Sequence, residues 1–236
     1  MLGTRLKNGL LIALLLGSGP LPAFPLTPFT ATYEADFELG VGLAGDAVRT
    51  LKKLPNGDWR LAVEADVQVA EFRESTQFRL YEERVRPLRY DYRRKVFGKK
   101  RSATLTFDWQ ALSVLNDVED RPWKMQVPPD AHDKLSYQIQ LRRDLAAGNT
   151  EMSYPVADGG RIKTYRFGVL GQESVRTPAG RFQALKVERL RDPDSERKTL
   201  IWFAPALDYA IVKLAQTEDD GKEYRLLLKA IDTKAP

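Results

Sequence analysis

The sequence contains no cysteine and only one histidine among its 236 residues. A chain without cysteine forms no disulfide, binds no metal through thiolates, and has neither a cysteine nucleophile nor a lipid-modified N-terminal cysteine. The histidine, His132, stands among polar residues just before a predicted helix. A catalytic base needs a partner within hydrogen-bonding distance, and no nucleophile motif such as G-x-S-x-G is present. We therefore expect His132 to be a solvent-exposed loop residue, and we expect no enzymatic activity and no cofactor.

A strong excess of charge of one sign is also lacking. The 37 basic and 32 acidic residues give a net charge of +5, and removal of residues 1–23, which carry Arg5 and Lys7, would leave 35 basic residues and a net charge of +3. A balance this small does not predict binding to nucleic acid. The 43% hydrophobic and 29% charged residues are ordinary for a soluble globular protein.

Long apolar runs are absent except near the N-terminus. The run at 9–16 follows the basic stretch 1–8 and precedes the small residues and prolines of 17–23. This order is that of a secretory signal peptide. The run is about half as long as the roughly 20 residues that a membrane-spanning helix needs. We predict a signal peptide at 1–23, cleaved near Ala23, and a single exported, periplasmic β-rich domain at 24–236.

Alternation of apolar and polar residues dominates the rest of the chain. Thr32–Leu39, Trp59–Val69, Leu88–Val96 and Ala103–Trp109 each place apolar side chains on one face. Repeated one-sided alternation is typical of antiparallel sheet with one wet face. In the second half we predict strands at Arg161–Val169, Glu173–Arg176, Gln183–Leu190, Lys198–Phe203, Ala210–Gln216 and Glu223–Ile231.

A single good helix is predicted at 133–147, with Asp130 or Asp133 as its cap and Gly148 at its end. Its apolar positions cover an arc of about 200° at 100° per residue, which is wider than a surface stripe. We therefore expect an enclosed helix in the concavity of a curved sheet. The predicted fold is mostly β, a curved antiparallel sheet or half-open β-barrel or β-roll of about ten or more strands with this one main helix.

The most apolar part of the mature chain is Thr199–Ala215. Both faces of its first strand are apolar, which predicts a strand buried on two sides. Pro205 has no N–H and so belongs at the end of that strand. Lys213, a charge among apolar residues, is the residue there that is least explained by packing.

Two segments resemble a known family: T-P-A-G-R-F at 177–182 and W-F-A-P at 202–205. With the pairs Lys186-Val187 and Val212-Lys213, they resemble the bacterial periplasmic domain-of-unknown-function family numbered 3108, and the general layout extends from about Phe29 to Asp232. Many relatives have proline before the second pair, where this chain has Ile211. The resemblance implies an exported antiparallel β protein, by analogy like the curved or half-open barrels of lipid and lipoprotein carriers. It brings no reaction, ligand or catalytic residue.

Two groups of residues are candidates for binding. Aromatic side chains that could line an apolar ligand cavity, or equally fill the core, are Tyr90, Tyr92, Phe107, Trp109, Trp202 and Phe203. Basic residues that could meet a phosphate-bearing partner or anionic lipid are Arg93, Arg94, Lys99, Lys100, Arg101 and Lys213. For those flanking the 97–98 turn, the alternative is protection of an exposed sheet edge against pairing. The acidic segment 192–196 lacks the glycine and distal glutamate of a calcium loop and is predicted to be a hairpin tip.

Three functional hypotheses follow. The first is a non-enzymatic binding or chaperone-like module for an apolar ligand, such as a lipid or a lipoprotein segment. The second is a structural or interaction protein of the envelope that docks a partner through a sheet edge or the basic hairpin. The third, a hydrolase of cell-wall sugars, needs a pair of carboxylates that no motif marks.

Overall fold

The computed structural model describes residues 25–38, 42–67, 70–82 and 84–233. The predicted signal peptide and its cleavage site lie outside these ranges. The described residues form one 14-stranded antiparallel sheet and one α-helix, α1 (Ser136–Ala146). The expected fold, mostly β with a curved antiparallel sheet and one main helix, is confirmed.

Two meanders on either side of the helix supply the strands. The first contains β1 (Phe29–Glu38), β2 (Gly42–Lys53), β3 (Trp59–Val67), β4 (Ala70–Tyr81), β5 (Arg84–Val96), β6 (Lys99–Asp108), β7 (Ser113–Val118) and β8 (Pro122–Gln126). The second contains β9 (Glu151–Asp158), β10 (Arg161–Thr177), β11 (Gly180–Leu190), β12 (Lys198–Ala204), β13 (Ala210–Thr217) and β14 (Glu223–Asp232). Pairing of β1 with β14 joins the two meanders, so β8 and β9 are the free ends of the sheet.

The helix lies in the concave face of this curled sheet. Arg49 of β2 donates to Gln138 (2.8 Å), and the backbone N–H of Val85 donates to Gln140 (2.9 Å). From the second meander, the Tyr154 hydroxyl donates to Asp144 (2.5 Å). Since these strands are far apart in the sheet order, one helix can reach all of them only if the sheet curves around it. The expected enclosed helix is therefore confirmed.

The helix begins three residues later than predicted. Asp133 caps the turn that precedes it, because its Oδ1 atom accepts hydrogen bonds from the backbone N–H groups of Leu135 and Ser136, both at 2.8 Å. Leu135 is the N-terminal boundary residue and makes no side-chain cap. Neither Asp130 nor Asp133 is therefore the N-cap of the helix, because the chain first makes the turn that Asp133 caps and only then enters the helix.

Strand prediction failed at two places in the second meander. Arg161–Val169 and Glu173–Arg176 are parts of one strand, β10, because a register shift at Gly171 absorbs the break while pairing with β11 continues. Gly171 has φ +144°, a conformation that favours glycine. The edge strand β9 was not predicted, since it contains Pro155, which is tolerated at a sheet edge but not inside a sheet.

The pair formed by β12 and β13 matches its prediction. β12 ends at Ala204, a short 3₁₀ turn follows at Pro205–Leu207, and β13 starts at Ala210. Three of the four side chains Leu200, Ile201, Trp202 and Phe203 are buried, and the first is half-buried. The strand is therefore covered on both faces.

Candidate functional site

The two free ends of the sheet meet along a seam. The six-membered ring of Trp123 in β8 packs on the β9–β10 turn, where a Cβ atom on Gly160 would lie 2.5 Å from Trp123 Cζ2. The segment before the helix bridges the same gap, because the His132 N–H donates to the Pro155 carbonyl and the Ala157 N–H donates to the His132 carbonyl, both at 2.8 Å. The curled sheet is thus closed by a ring contact and two hydrogen bonds instead of a full ladder.

A cleft of about 250 Å³ opens at this seam. We call it the seam cleft. It is lined by Tyr90, Tyr92, Arg94, Arg101, Ala103, Leu105, Asn116, Val118, Lys134, Ala157, Asp158, Gly159 and Gly160. Its volume is just below the roughly 300–1,000 Å³ of typical small-molecule sites. It is large enough for a head group with a short apolar segment, but not for a whole two-chain lipid.

Along β5 and β6, the residues that line the cleft change from apolar to positively charged toward the hairpin turn. Tyr90 pairs with Leu105, then Tyr92 with Ala103, and Arg94 pairs with Arg101 next to the hairpin turn. Like charges placed directly opposite each other are unfavourable in a sheet. Among the described residues, neither arginine is within ion-pair distance of a carboxylate or donates a side-chain hydrogen bond.

The tyrosine hydroxyls at the floor are held neutral. Burial, together with the hydrogen bond from its hydroxyl to the Glu74 carboxylate, raises the pKa of Tyr90 far above its ordinary value. Burial also raises the pKa of Tyr92, although the positive charges of Arg94 and Arg101 act against that rise. Both rings therefore present uncharged, mostly apolar surface to the cleft.

Two further polar groups of the cleft were not predicted. Asn116 is 2% exposed, and its Nδ2 atom has no hydrogen-bond partner. Lys134 lies 5.8 Å from the centre of the Tyr92 ring and 4.0 Å from Asp158. Burial of Asp158 favours its neutral form, but a hydrogen bond from Lys163 (2.6 Å) and the charge of Lys134 outweigh this and lower its pKa. A sequence signal existed for Asn116, since it falls on the same strand face as Val114 and Val118.

The expectation of an exposed His132 is wrong. Its side chain is buried, its ring meets Tyr154 edge-on (5.6 Å between ring centres), and its Nδ1 atom lies 3.4 Å from the Ser136 hydroxyl. Burial and the nearby charge of Arg84 lower the pKa of His132 to about 4. The backbone bonds to β9 explain the error, because they fold this polar segment into the seam. Ser136 is completely buried, so the pair offers no surface to a substrate.

Asp133, beside it, is also fully buried. Burial raises its pKa to about 6, although hydrogen bonds from the Thr76 hydroxyl (2.6 Å) and from the backbone of Ser136 and Leu135 favour the charged form. Within the described ranges, no three His, Cys, Asp or Glu side chains are close enough together to hold a metal ion.

The other candidate ligand-lining residues lie elsewhere. Phe107 stacks on Trp109, with ring centres 5.4 Å apart, and the Trp109 Nε1 atom donates to the Pro87 carbonyl (2.7 Å). Trp202 and Phe203 are buried in β12. Only Tyr90 and Tyr92 of the six predicted aromatic residues line the seam cleft.

The candidate basic residues separate in the same way. Arg94 and Arg101 line the cleft, Arg93 lies on the outer face of β5, and Lys99 and Lys100 are exposed beside the hairpin turn. At the tip of that turn Phe97 is 71% exposed. Lys213 is in β13, with its Nζ atom 4.4 Å from the centre of the Trp202 indole.

Comparison with known families identifies the chain. Residues 32–229 match the family model described as "Protein of unknown function (DUF3108)". The chain belongs to this family. The resemblance read from its sequence is thereby confirmed. A comparison with curated proteins found no significant match.

Among solved structures, the chain is similar to a β-barrel-like protein of the domain of unknown function DUF1849 from Brucella abortus. The TM-score is 0.61 at 11% identity, with 89% of this chain and 99% of that one covered. At this identity the likeness shows the fold alone.

Two other matches have lower scores. A protein described as exported with a YmcC-like fold, from Bacteroides fragilis, gives a TM-score of 0.32 at 13% identity over 88% of this chain and 96% of that one. A domain described as an outer-membrane lipoprotein-sorting protein, from Vibrio parahaemolyticus, gives 0.24 at 9% identity over 89% and 86%. These scores are too low to establish a shared fold. In the described part of the chain, no helix has the length and apolar character needed to cross a bilayer.

Proposed function

We propose that this chain is an exported, non-enzymatic binding module whose seam cleft holds the anionic head group and the adjoining apolar segment of an acyl ligand. The observation that carries the proposal is the gradient along β5 and β6, which runs from apolar pairs to two opposed arginines without acidic partners. An apolar segment fits the Tyr90–Leu105 end, and a carboxylate or phosphate head fits between Arg94 and Arg101. The unpaired donor of Asn116 offers a further hydrogen bond to such a ligand.

The test is a titration of chain 25–236 with a dansyl-labelled undecanoic acid. Arg94→Met and Arg101→Met are each expected to weaken binding roughly tenfold or more, because each removes a charge-assisted hydrogen bond. Arg93→Met is the matched control, since it removes the same charge from the adjacent position on the outer face. Absence of probe binding, or equal weakening in the control, would contradict the proposal.

A second role, docking of the hairpin on an anionic lipid surface, is favoured by Phe97. This exposed ring is flanked by Lys99 and Lys100, and an aromatic side chain among basic residues is typical of membrane-surface contact. Each lysine near an anionic surface contributes about 1 kcal/mol. Loss of cosedimentation with phosphatidylglycerol vesicles is expected for K99E/K100E. The pair K52E/K53E, at the opposite end of the sheet, is the control that should still sediment.

A further inference from the structure

Arg49 and Arg142 have buried side chains that lie outside the seam cleft. Arg49 of β2 is 8% exposed, and Arg142 of α1 is 2% exposed. The Arg49 Nη1 atom donates to Gln138 (2.8 Å), and the Arg142 Nη2 atom donates to the Asp208 carbonyl (2.6 Å). The Nε and Nη1 atoms of Arg142 have no hydrogen-bond partner.

Neither guanidinium group forms an ion pair, although the more distant carboxylates of Glu74 and Asp208 favour the charged forms of Arg49 and Arg142. Among the described residues, no carboxylate lies within 4.0 Å of either guanidinium group. Burial and the positive charge of Arg49 lower the pKa of Arg142 to about 10, so it remains charged at neutral pH. Burial also lowers the pKa of Arg49, against the attraction of Tyr33.

Buried charges in folded proteins are paired with an opposite charge or with a ligand, because an isolated one is strongly unfavourable. Here two like charges are near enough to perturb each other, and the unpaired N–H groups belong to the more buried one. Phe29, whose ring centre is 5.0 Å from the Arg142 guanidinium carbon, supplies only weak compensation.

We infer that Arg49 and Arg142 bind a small oxyanion, of the carboxylate or inorganic phosphate class, between α1, β1 and β2. The neighbouring side chains of Phe29, Ala31 and Tyr33 are all buried, which favours a small ion over an acyl ligand. This site is separate from the seam cleft and from the function proposed for it.

The test follows the thermal unfolding midpoint of chain 25–236 during titration with inorganic phosphate and, separately, acetate at constant ionic strength. We expect a saturable rise of roughly 5–10 °C at a hundredfold excess over Kd. Arg142→Met and Arg49→Met should each abolish the rise. Arg142→Met alone should melt at or above the wild-type temperature without added anion, because it removes an unpaired buried charge. Arg60→Met, at an exposed position on β3, should keep the rise.

Two melting results would each overturn the inference: a wild-type protein without a saturable response, or an Arg142→Met variant that keeps it. Should the variants not fold, calorimetric titration of the wild type with phosphate decides, and absence of binding heat overturns the site. Tighter binding of decanoate than of acetate would also overturn it, since an acyl ligand would then be the occupant. Dansyl-undecanoate binding at the seam cleft should be unchanged in Arg142→Met, so failure of one site does not imply failure of the other.

Discussion

The β12–β13 pair and the seam cleft both place basic side chains beside aromatic rings, but the charges have partners in the pair and lack acidic partners in the cleft. In the pair, Trp202 is held between the cations of Lys213 and Lys186, at 4.4 and 5.4 Å from the ring centre, and its Nε1 atom donates to Glu173 (2.6 Å). In the cleft, Arg94 and Arg101 face each other without an acid. An aromatic residue beside a cation therefore does not mark a site by itself. Arginines without an acidic partner and the unpaired donor of Asn116 distinguish the cleft from the β12–β13 pair.

The largest expected effect is loss of stability in the pair. Phe203→Ala, at a side chain with no exposed surface, should lower the free energy of unfolding by about 3–5 kcal/mol through the cavity it leaves. Tyr92→Ala, at a half-buried ring of the cleft, should cost less and should weaken binding of the dansyl probe. Urea unfolding and probe titration of both variants measure the difference. Equal stability losses would break the distinction between core and site.

The next effect is the pH dependence of stability that arises from Asp133 and His132, in the segment before the helix. The folded-state pKa of Asp133 is raised to about 6, so its contribution to stability is present below pH 3.8 and is lost as pH rises to 6. The folded-state pKa of His132 is lowered to about 4, so the unfolded chain binds the extra proton and stability rises between pH 4 and 6.5. In the native chain these two slopes oppose each other.

Removing either titrating side chain should leave the pH dependence of stability that the other one causes. Between pH 4 and 6, the stability of Asp133→Asn relative to that of the wild type should rise with pH. The relative stability of His132→Gln should fall with pH over the same range. Each change in slope is at most about 1.4 kcal/mol per pH unit. Urea unfolding at several pH values checks both. Parallel pH curves for the two variants would show that these groups do not titrate as their burial indicates.

A smaller effect is expected at the contact that closes the seam. Gly160→Ala would place a methyl group on the Trp123 ring, in addition to the strain of its φ of +77°. Gly57→Ala is the control, because its φ is +85° but nothing lies within 4 Å of the added Cβ. The control should cost about 1–2 kcal/mol from backbone strain alone, and Gly160→Ala should cost more. In a Trp123→Ala background, Gly160→Ala should cost about as much stability as Gly57→Ala, because the ring that the methyl group meets is gone.

The smallest expected effects are changes in stability of opposite sign when a basic residue is removed from the cleft and from the β12–β13 pair. Arg101→Met should stabilise the ligand-free protein by roughly 0.2–1 kcal/mol, because it removes a like-charge cross-strand pair. Lys213→Met should destabilise it by about 0.5–1 kcal/mol through loss of its contact with the Trp202 ring. Chemical unfolding at low salt, where surface electrostatics are strongest, measures both. A stabilising Lys213→Met would mean that the lysine is not part of the packing of the pair.

Alternation, turn residues and helix periodicity predicted the antiparallel sheet, the enclosed helix and the two-sided burial of β12, but not the strands β7, β8 and β9 near the free ends of the sheet. They could not predict the seam, because its closure depends on contacts between segments distant in sequence, such as Trp123 with Gly160 and His132 with Pro155. The buried arginines had a weaker signal. Arg49 lies on the same strand face as Ala47 and Leu51, and Arg142 follows Ile139 on the apolar stripe of the helix. A single charge within an apolar pattern is usually taken as an exception to it.

The strand order has a consequence for folding kinetics. Of the thirteen ladders, only β1 with β14 joins strands that are not consecutive in the chain. All others form between successive strands, so their loop-closure entropy is small. Each meander can therefore assemble as a local unit, and closure of β1 on β14 is the step with the greatest entropic cost. We expect substitutions that weaken this one ladder to slow refolding more than equally destabilising ones inside a meander.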